Sequence, residues 1–251
     1  MEKNGLPSRS REKRVGTWVY GICGFILISM FIVPLYLEEG TVPKLSGRAN
    51  AIDYATEDSW GNIQQGPNGD VGHNQSAYGT FVWSDLDPFA AFMYAFGDLN
   101  CHNKEERSWI INGNQMPMCV RDVGIFFGLT LGGFVFSRRG LNRWTVRDTF
   151  LSMFSDQSME FVYKNNYRLK AMFVILGICA IPMALDGFTQ MFTSYESNSF
   201  MRLVTGIPFG IFVGAYLGAG FSAKPVGFDL DANRVVLPYG CTFSMAVKED
   251  E

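Results

Sequence analysis

The sequence predicts an all-α membrane protein: a four-span transmembrane helical bundle with an interfacial half-helix and an irregular extracytoplasmic loop. Three observations lead to this prediction: long intervals without charge, basic residues crowded into a few connecting segments, and glycines repeated every four residues. Of the 251 residues, 47% are hydrophobic and 18% are charged, averages that a soluble chain could also have. The distribution of the charges therefore decides the class.

Four uncharged intervals define the predicted spans. The first (residues 15–37) has 23 residues and the last (203–223) has 21, so each can cross about 30 Å of hydrocarbon as a helix. The second (123–136) and third (171–185) have 14 and 15 residues, so they can cross only with charged neighbours drawn into the membrane. Those neighbours are Arg121, Asp122 and Asp186. Ionisable residues at such depth are costly and are functional candidates by default.

The basic residues predict the orientation. Residues 1–14, 137–170 and 224–251 together hold 15 of the 21 Lys and Arg, and cytoplasmic loops carry such an excess. We therefore expect a multi-pass protein of the cell membrane with both termini cytoplasmic. The expected organisation is a basic cytoplasmic N-terminus (1–14), a first transmembrane helix (15–37), an extracytoplasmic loop (38–85), a membrane domain (86–223) and a cytoplasmic tail (224–251). The net charge of -3 argues against nucleic acid as a partner, whereas the lipid bilayer is an obligatory one.

Residues 38–85 are rich in Gly, Asn, Ser, Asp and Pro, which is typical of turns. Asn74 begins a glycosylation sequon in this loop, although such short sequons often arise by chance. Asp87 and Pro88 are suited to cap and open a helix over the apolar residues 89–97. That stretch is too short to cross the bilayer, so it is the predicted interfacial half-helix.

Glycines at a spacing of four lie on nearly one face of a helix and allow another backbone to approach closely. The second and fourth spans both carry this pattern, so we expect these two helices to pack together. The glycines are Gly124, Gly128, Gly132, Gly206, Gly210, Gly214 and Gly218.

The unusual polar residues collect at the extracytoplasmic end of the predicted spans. Cys101, His102, Cys119 and Asp122 are candidate ligands for a metal such as zinc, whose sites use thiolate, imidazole and carboxylate. A disulfide between Cys101 and Cys119 is an alternative on an oxidising face, and two unpaired thiols are another. Adjacent Cys and His cannot easily bind one ion, and the chain has no paired CxxC motif here, so the signal is weak.

Asp122 and Asp186 are candidate acids, bases or ligands in a dry cleft. The alternative is that they form ion pairs with Arg121 and Arg202 that lock helix ends together. The expected polar supports of this pocket are Arg107, Ser108, Gln115, Arg121, Gln190, Glu196, Asn198 and Arg202.

A set of spaced motifs in this region resembles a known family. The motifs are Cys101-His102, Arg107-Ser108, Gly113–Pro117, Cys119–Asp122, Gly124-Ile125, Pro182–Gln190, Glu196–Asn198, Arg202 and Thr205-Gly206. They resemble the prokaryotic predicted membrane proteins grouped as domain of unknown function 2085, over roughly residues 86 to 222. Many members have Cys where Asp122 stands and His where Asn114 stands. The resemblance implies an architecture and a suspect site, but no activity.

Three functions remain open from the sequence. The first is a membrane protein whose Cys/His/Asp site binds a structural metal or forms a disulfide. The second is a membrane-embedded enzyme, metal-dependent or thiol-redox, and the third is a transporter component, which the lack of ionisable residues in mid-span disfavours. Assembly as a homo-oligomer or with a membrane partner protein is compatible with all three.

Overall fold

The computed structural model of the protein describes residues 5, 8–47, 52–63 and 75–243. It is 62% helix and 2% strand. Its α-helices are α1 (Ser10–Tyr36), α2 (Pro88–Asn100), α3 (Val120–Arg139), α4 (Val146–Leu151), α5 (Glu160–Lys164), α6 (Arg168–Phe192) and α7 (Ser199–Ser222). Two short strands, β1 (Ile110–Ile111) and β2 (Asn114–Gln115), form an antiparallel pair in which Ile110 faces Gln115. Short 3-10 turns connect these elements, among them Trp83–Asp85 and Glu105–Arg107.

Four helices are long and apolar enough to cross a membrane: α1, α3, α6 and α7, with 27, 20, 25 and 24 residues. This confirms the predicted all-α class with four candidate spans. The second and third spans are longer than their uncharged intervals because the helices continue through charged residues. Arg121 and Asp122 lie in the first turn of α3, and Asp186 lies within α6, whose last residue is Phe192.

The exposed surface of helix α6 is suited to contact with lipid rather than water. Its exposed side chains are large and apolar, including Phe173, Ile178, Leu185 and Phe188, each more than half exposed, while Arg168 is its buried residue. A helix with this surface would be an aggregation site in water, whereas lipid tails cover it without cost.

The chain forms two compact units, here called unit 1 and unit 2. Unit 2 consists of Gly24–Phe126 and Asp186–Gly206. Its apolar core gathers side chains from α1, α2 and the segment before α3; they include Met30, Val33, Met93, Tyr94, Met116 and Met118.

Helix α2 begins as predicted, because Asp87 accepts hydrogen bonds from the backbone N–H groups of Phe89 (3.0 Å) and Ala90 (3.3 Å). The apolar stretch predicted to form the half-helix is residues 89–97, and α2 extends three residues beyond it to Asn100.

In its described residues, the loop that precedes α2 is irregular, as its composition predicts, and buried polar side chains attach it to the rest of unit 2. Asp98 on α2 is 3% exposed. Its two carboxylate oxygens accept from the backbone N–H groups of Asp53 (2.9 Å) and Tyr54 (2.9 Å) and from the indole of Trp83 (3.0 Å). These bonds attach the loop to α2. Asn74 lies outside the described residues.

Unit 1 consists of Met1–Cys23, Phe127–Leu185 and Ile207–Glu251. Its core is built on aromatic and small residues, among them Phe136, Phe150, Phe212, Ala215 and Ala219. The segment between α3 and α6 is held by a buried Arg143, which donates to the Tyr163 hydroxyl (2.9 Å) and to Asp156 (2.8 Å).

Within each unit, residues of α3 approach residues of α7 at glycines. In unit 2, a Cβ added to Gly124 would lie 2.7 Å from the carbonyl oxygen of Leu203, and one added to Gly206 would lie 2.6 Å from that of Arg121. In unit 1, a Cβ on Gly128 would overlap the carbonyl oxygen of Ile207 and lie 2.8 Å from the Cα of Gly210. The same holds at three further positions, where the neighbours are Ile211 for Gly132, Leu129 for Gly214 and Phe136 for Gly218. At these positions a side chain has no room.

Candidate functional site

Three potential ligands meet in unit 2. Cys101 directly follows α2, Cys119 directly precedes α3, and Asp122 lies in the first turn of α3. The two sulfurs and a carboxylate oxygen all lie within 4.8 Å of one another. The Cys119 thiol donates to the Asp122 carboxylate (3.1 Å), and the Cys119 backbone N–H donates to the Cys101 sulfur (3.3 Å).

A glycine on α2 brings these segments together. A Cβ on Gly97 would overlap the carbonyl oxygen of Pro117, so glycine allows the chain before α3 to lie directly against α2. The Tyr94 hydroxyl adds a hydrogen bond to the carbonyl oxygen of Gln115 (2.6 Å) in the same segment. Cys119 is thereby placed beside the end of α2, where Cys101 lies.

Both cysteines are free thiols in the structure. Interaction with the Cys119 side chain and burial raise the pKa of the Cys101 thiol well above its ordinary value, and the nearby charge of Asp122 raises it further. Without a metal, Cys101 is therefore protonated at neutral pH. A metal that binds here displaces that proton, since thiolate is the ligand form.

The donor set fits a zinc-like ion. Zinc binds thiolate at about 2.3 Å and carboxylate oxygen at about 2.0–2.2 Å, so tetrahedral ligand atoms lie about 3.5–4 Å apart. Three donors within 4.8 Å need only a small inward movement to reach that spacing. Three protein ligands leave a fourth position for water or another molecule, which is the arrangement of catalytic zinc sites, whereas structural sites have four ligands.

His102 lies outside this donor set. It is exposed and lines the adjoining cavity, but the group formed by the described residues contains Cys101, Cys119 and Asp122 without it. The backbone at Cys101 is extended, and consecutive side chains on an extended backbone point in opposite directions. For this reason three of the four candidate ligands lie together, and His102 lies apart from them.

Asp186 belongs to a neighbouring ion-pair network. Its side chain is 7% exposed and pairs with Arg121, and it also accepts from the amide of Gln190 (3.0 Å). Arg202, which is 1% exposed, donates to the Gln190 side-chain oxygen (2.7 Å) and to the carbonyl oxygen of Ser197 (2.9 Å). The network connects the start of α3, the end of α6 and the start of α7. It contains one of the two ion pairs that the ion-pair alternative expects, whereas Arg202 donates to uncharged oxygens. Asp186 is not among the three clustered donors.

A cavity of about 150 Å³ adjoins the three donors. Much of its lining is cationic. The lining residues are Asn100, Cys101, His102, Lys104, Arg107, Cys119, Arg121, Asp122 and Arg202.

Comparisons with known proteins agree with this architecture. The sequence profile of a family described as "Predicted membrane protein (DUF2085)" matches residues 101–216. An uncharacterized protein of Methanocaldococcus jannaschii is 30% identical over 125 residues, which are 50% of this chain and 65% of that protein, so the match spans less than two thirds of that relative. An uncharacterized protein of Methanothermobacter thermautotrophicus is 32% identical over 111 residues, which are 44% of this chain and 78% of that protein.

The chain belongs to the DUF2085 family. The matched region contains Cys101, Cys119, Asp122 and the Arg121–Asp186 pair. No solved structure matches this DUF2085 protein.

Several of the expected polar supports have other positions in this DUF2085 chain. Gln115 is fully buried and joins the Leu45 N–H (2.8 Å) to the Asn103 carbonyl (2.8 Å), away from the cavity lining. Ser108 bonds to the Lys104 carbonyl (3.3 Å). Asn198 accepts from the Met201 N–H (2.9 Å) at the start of α7, and Glu196 is exposed.

Asn114 holds the end of α1. Its side-chain oxygen accepts from the Val42 N–H (2.8 Å), and its amide donates to the carbonyl oxygens of Pro34 (3.1 Å) and Glu38 (3.0 Å). Sequence reasoning missed this role and that of Asp98. A lone polar residue inside an apolar stretch was the available signal for Asp98, but two of its three partners, Asp53 and Tyr54, are about 45 residues away in the chain.

Proposed function

We propose that this protein is a multi-pass membrane protein that binds a zinc-like divalent cation through Cys101, Cys119 and Asp122. The observation that supports this is the convergence of two thiols and a carboxylate within 4.8 Å. Such a metal would stabilise the contact between the end of α2 and the start of α3, and its fourth position would remain open to water. An ion that binds the folded protein but not the unfolded chain raises the apparent free energy of unfolding by mass action.

A second candidate, a membrane-embedded metal-dependent enzyme, is favoured by one specific feature. The three donors leave one position open, and the cavity of about 150 Å³ adjoins them. A substrate could reach the metal from that side.

The metal content of detergent-purified protein tests the proposal. We expect about one zinc per wild-type chain, and at least a tenfold loss in Cys101→Ser, because loss of one of three ligands leaves a weak site. Cys179→Ser is the matched control, since Cys179 lies on α6 among apolar residues and should retain the metal. Inductively coupled plasma mass spectrometry measures both variants.

A wild-type protein without metal, or equal zinc in Cys101→Ser and wild type, would contradict the metal site. Thiol counting with and without reductant then distinguishes the remaining alternatives. Two thiols that appear only after reduction would indicate the disulfide between Cys101 and Cys119.

We also propose that both termini are cytoplasmic and that the candidate site faces the outside. Asp58 and Gln157 are both exposed. The distribution of basic residues predicts that their segments lie on opposite sides of the membrane. A membrane-impermeant maleimide should label Asp58→Cys in intact cells above the wild-type background, and should label Gln157→Cys only after permeabilisation. The reverse pattern would show the inverted orientation.

A further inference from the structure

The cavity beside the three donors has an excess of positive charge. Lys104 pairs with Glu106 and Arg121 pairs with Asp186. Two further arginines of the cavity lining, Arg107 and Arg202, have no carboxylate partner among the described residues. The lining contains one carboxylate without an ion-pair partner, Asp122, so two unpaired positive charges face one negative charge.

The arginines of this cavity repel one another and leave donors unused. The positive charges of Arg107 and Arg121 act unfavourably on the buried Arg202, while the charge of Asp186 acts on it favourably. The Nε atoms of Arg107 and Arg121 are buried and have no hydrogen-bond acceptor among the described residues. Buried donors in proteins nearly always have an acceptor, and the guanidinium group is well suited to bind phosphate or carboxylate.

The arrangement of the guanidinium groups indicates the class of anion. They come from three elements: the 3-10 turn Glu105–Arg107, the first turn of α3, and α7. A guanidinium binds phosphate or carboxylate through two parallel bonds, but a phosphate also offers oxygens in several directions. The cavity is lined by first-turn residues of α3, where the helix dipole favours a negative charge. Its 150 Å³ equals the liquid volume of about five waters, which is ample for one phosphate group.

We propose that this cavity binds a phosphate group, either free phosphate or the phosphate of a lipid headgroup, through Arg107, Arg121 and Arg202. This inference rests on the proposed function, which identifies the three donors and the cavity beside them as the functional site. It goes further because it names the class of ligand that the cavity binds. Its binding residues are the arginines, none of which is a metal donor.

Arg107→Gln is the most informative variant, because the buried Nε of Arg107 has no hydrogen-bond partner among the described residues that the substitution would leave unmatched. Arg202 is a poorer choice, since its bonds to Ser197 and Gln190 hold the fold. We expect inorganic phosphate, compared with chloride at equal ionic strength, to raise the melting temperature of the purified protein with a saturable concentration dependence. Arg107→Gln should raise the half-saturating phosphate concentration at least about tenfold, Arg107→Lys less, and the exposed control Arg139→Gln not at all.

A second arm identifies the source of the phosphate. The protein is held in phosphate-free dodecyl maltoside micelles with and without added phosphatidic acid, and its melting temperature is compared with that of Arg107→Gln. A response in either arm that depends on Arg107 supports the proposal, and the arm that responds names the source. No response in both arms, or a response unchanged in Arg107→Gln, would overturn it.

The metal content of the same preparations separates this inference from the proposed function. Wild-type protein that contains zinc but does not respond to phosphate overturns the phosphate site alone. A phosphate response that depends on Arg107 in protein without zinc overturns the metal site alone.

Discussion

Gly128→Ala should destabilise the protein by about 1–3 kcal/mol or more, although alanine is a better helix former than glycine. The new methyl group would overlap the carbonyl oxygen of Ile207 and lie 2.7 Å from the Ile211 nitrogen and 2.8 Å from the Gly210 Cα. All three neighbours are backbone atoms, which cannot rotate away, so this part of α3 must separate from α7. The separation removes the close packing that holds helices together in lipid.

Thermal unfolding in detergent, followed by tryptophan fluorescence, measures the effect, with a decrease in melting temperature of roughly 5–10 °C expected. Gly220→Ala is the matched control: Gly220 lies on α7, and a Cβ there would meet nothing within 4 Å. That substitution should leave the melting temperature unchanged or raise it slightly. A wild-type melting temperature for Gly128→Ala would contradict the contact.

Asp186→Asn should also destabilise the protein, and by more than Gly128→Ala, for an electrostatic reason. The Asp186 side chain is 7% exposed and its partner Arg121 is 20% exposed, so the substitution leaves a guanidinium in a nearly dry site without its counter-charge. Loss of one partner of a buried ion pair typically costs about 3–5 kcal/mol. We expect a large decrease in melting temperature, and partial recovery in the double variant Arg121→Met with Asp186→Leu, in which no charge is left unpaired.

The control for Asp186→Asn is Glu160→Gln. It breaks the exposed pair between Lys164 and Glu160 on α5, where the side chains are 57% and 45% exposed, and should cost at most about 0.5 kcal/mol. The experiment also separates the two interpretations of Asp186. If Asp186→Asn kept wild-type stability, the structural ion pair would be excluded, and a catalytic or ligand role for Asp186 would be favoured instead.

The fold class was predictable from the sequence because hydrocarbon imposes a simple requirement. A segment that crosses it must be long, apolar and helical, so the uncharged intervals around residues 15–37 and 203–223 indicate spans without any knowledge of tertiary contacts. The start of α2 at Asp87 and Pro88 was predictable for a similar reason, since a cap is formed by residues adjacent in the chain. The residue types of the candidate site were also visible, because charges beside short spans are rare.

Tertiary structure alone decided which of those polar residues meet. Cys101 and Cys119 are 18 residues apart, and Gly97 and Tyr94 determine their approach by packing the segment before α3 against α2. Backbone direction separates His102 from its neighbour Cys101, and burial places Gln115 in a different network. The sequence determined the membrane class and the candidate residues through local, one-dimensional rules. The grouping into three donors, an ion-pair network and an arginine-lined cavity depends on contacts between distant parts of the chain, which local rules do not specify.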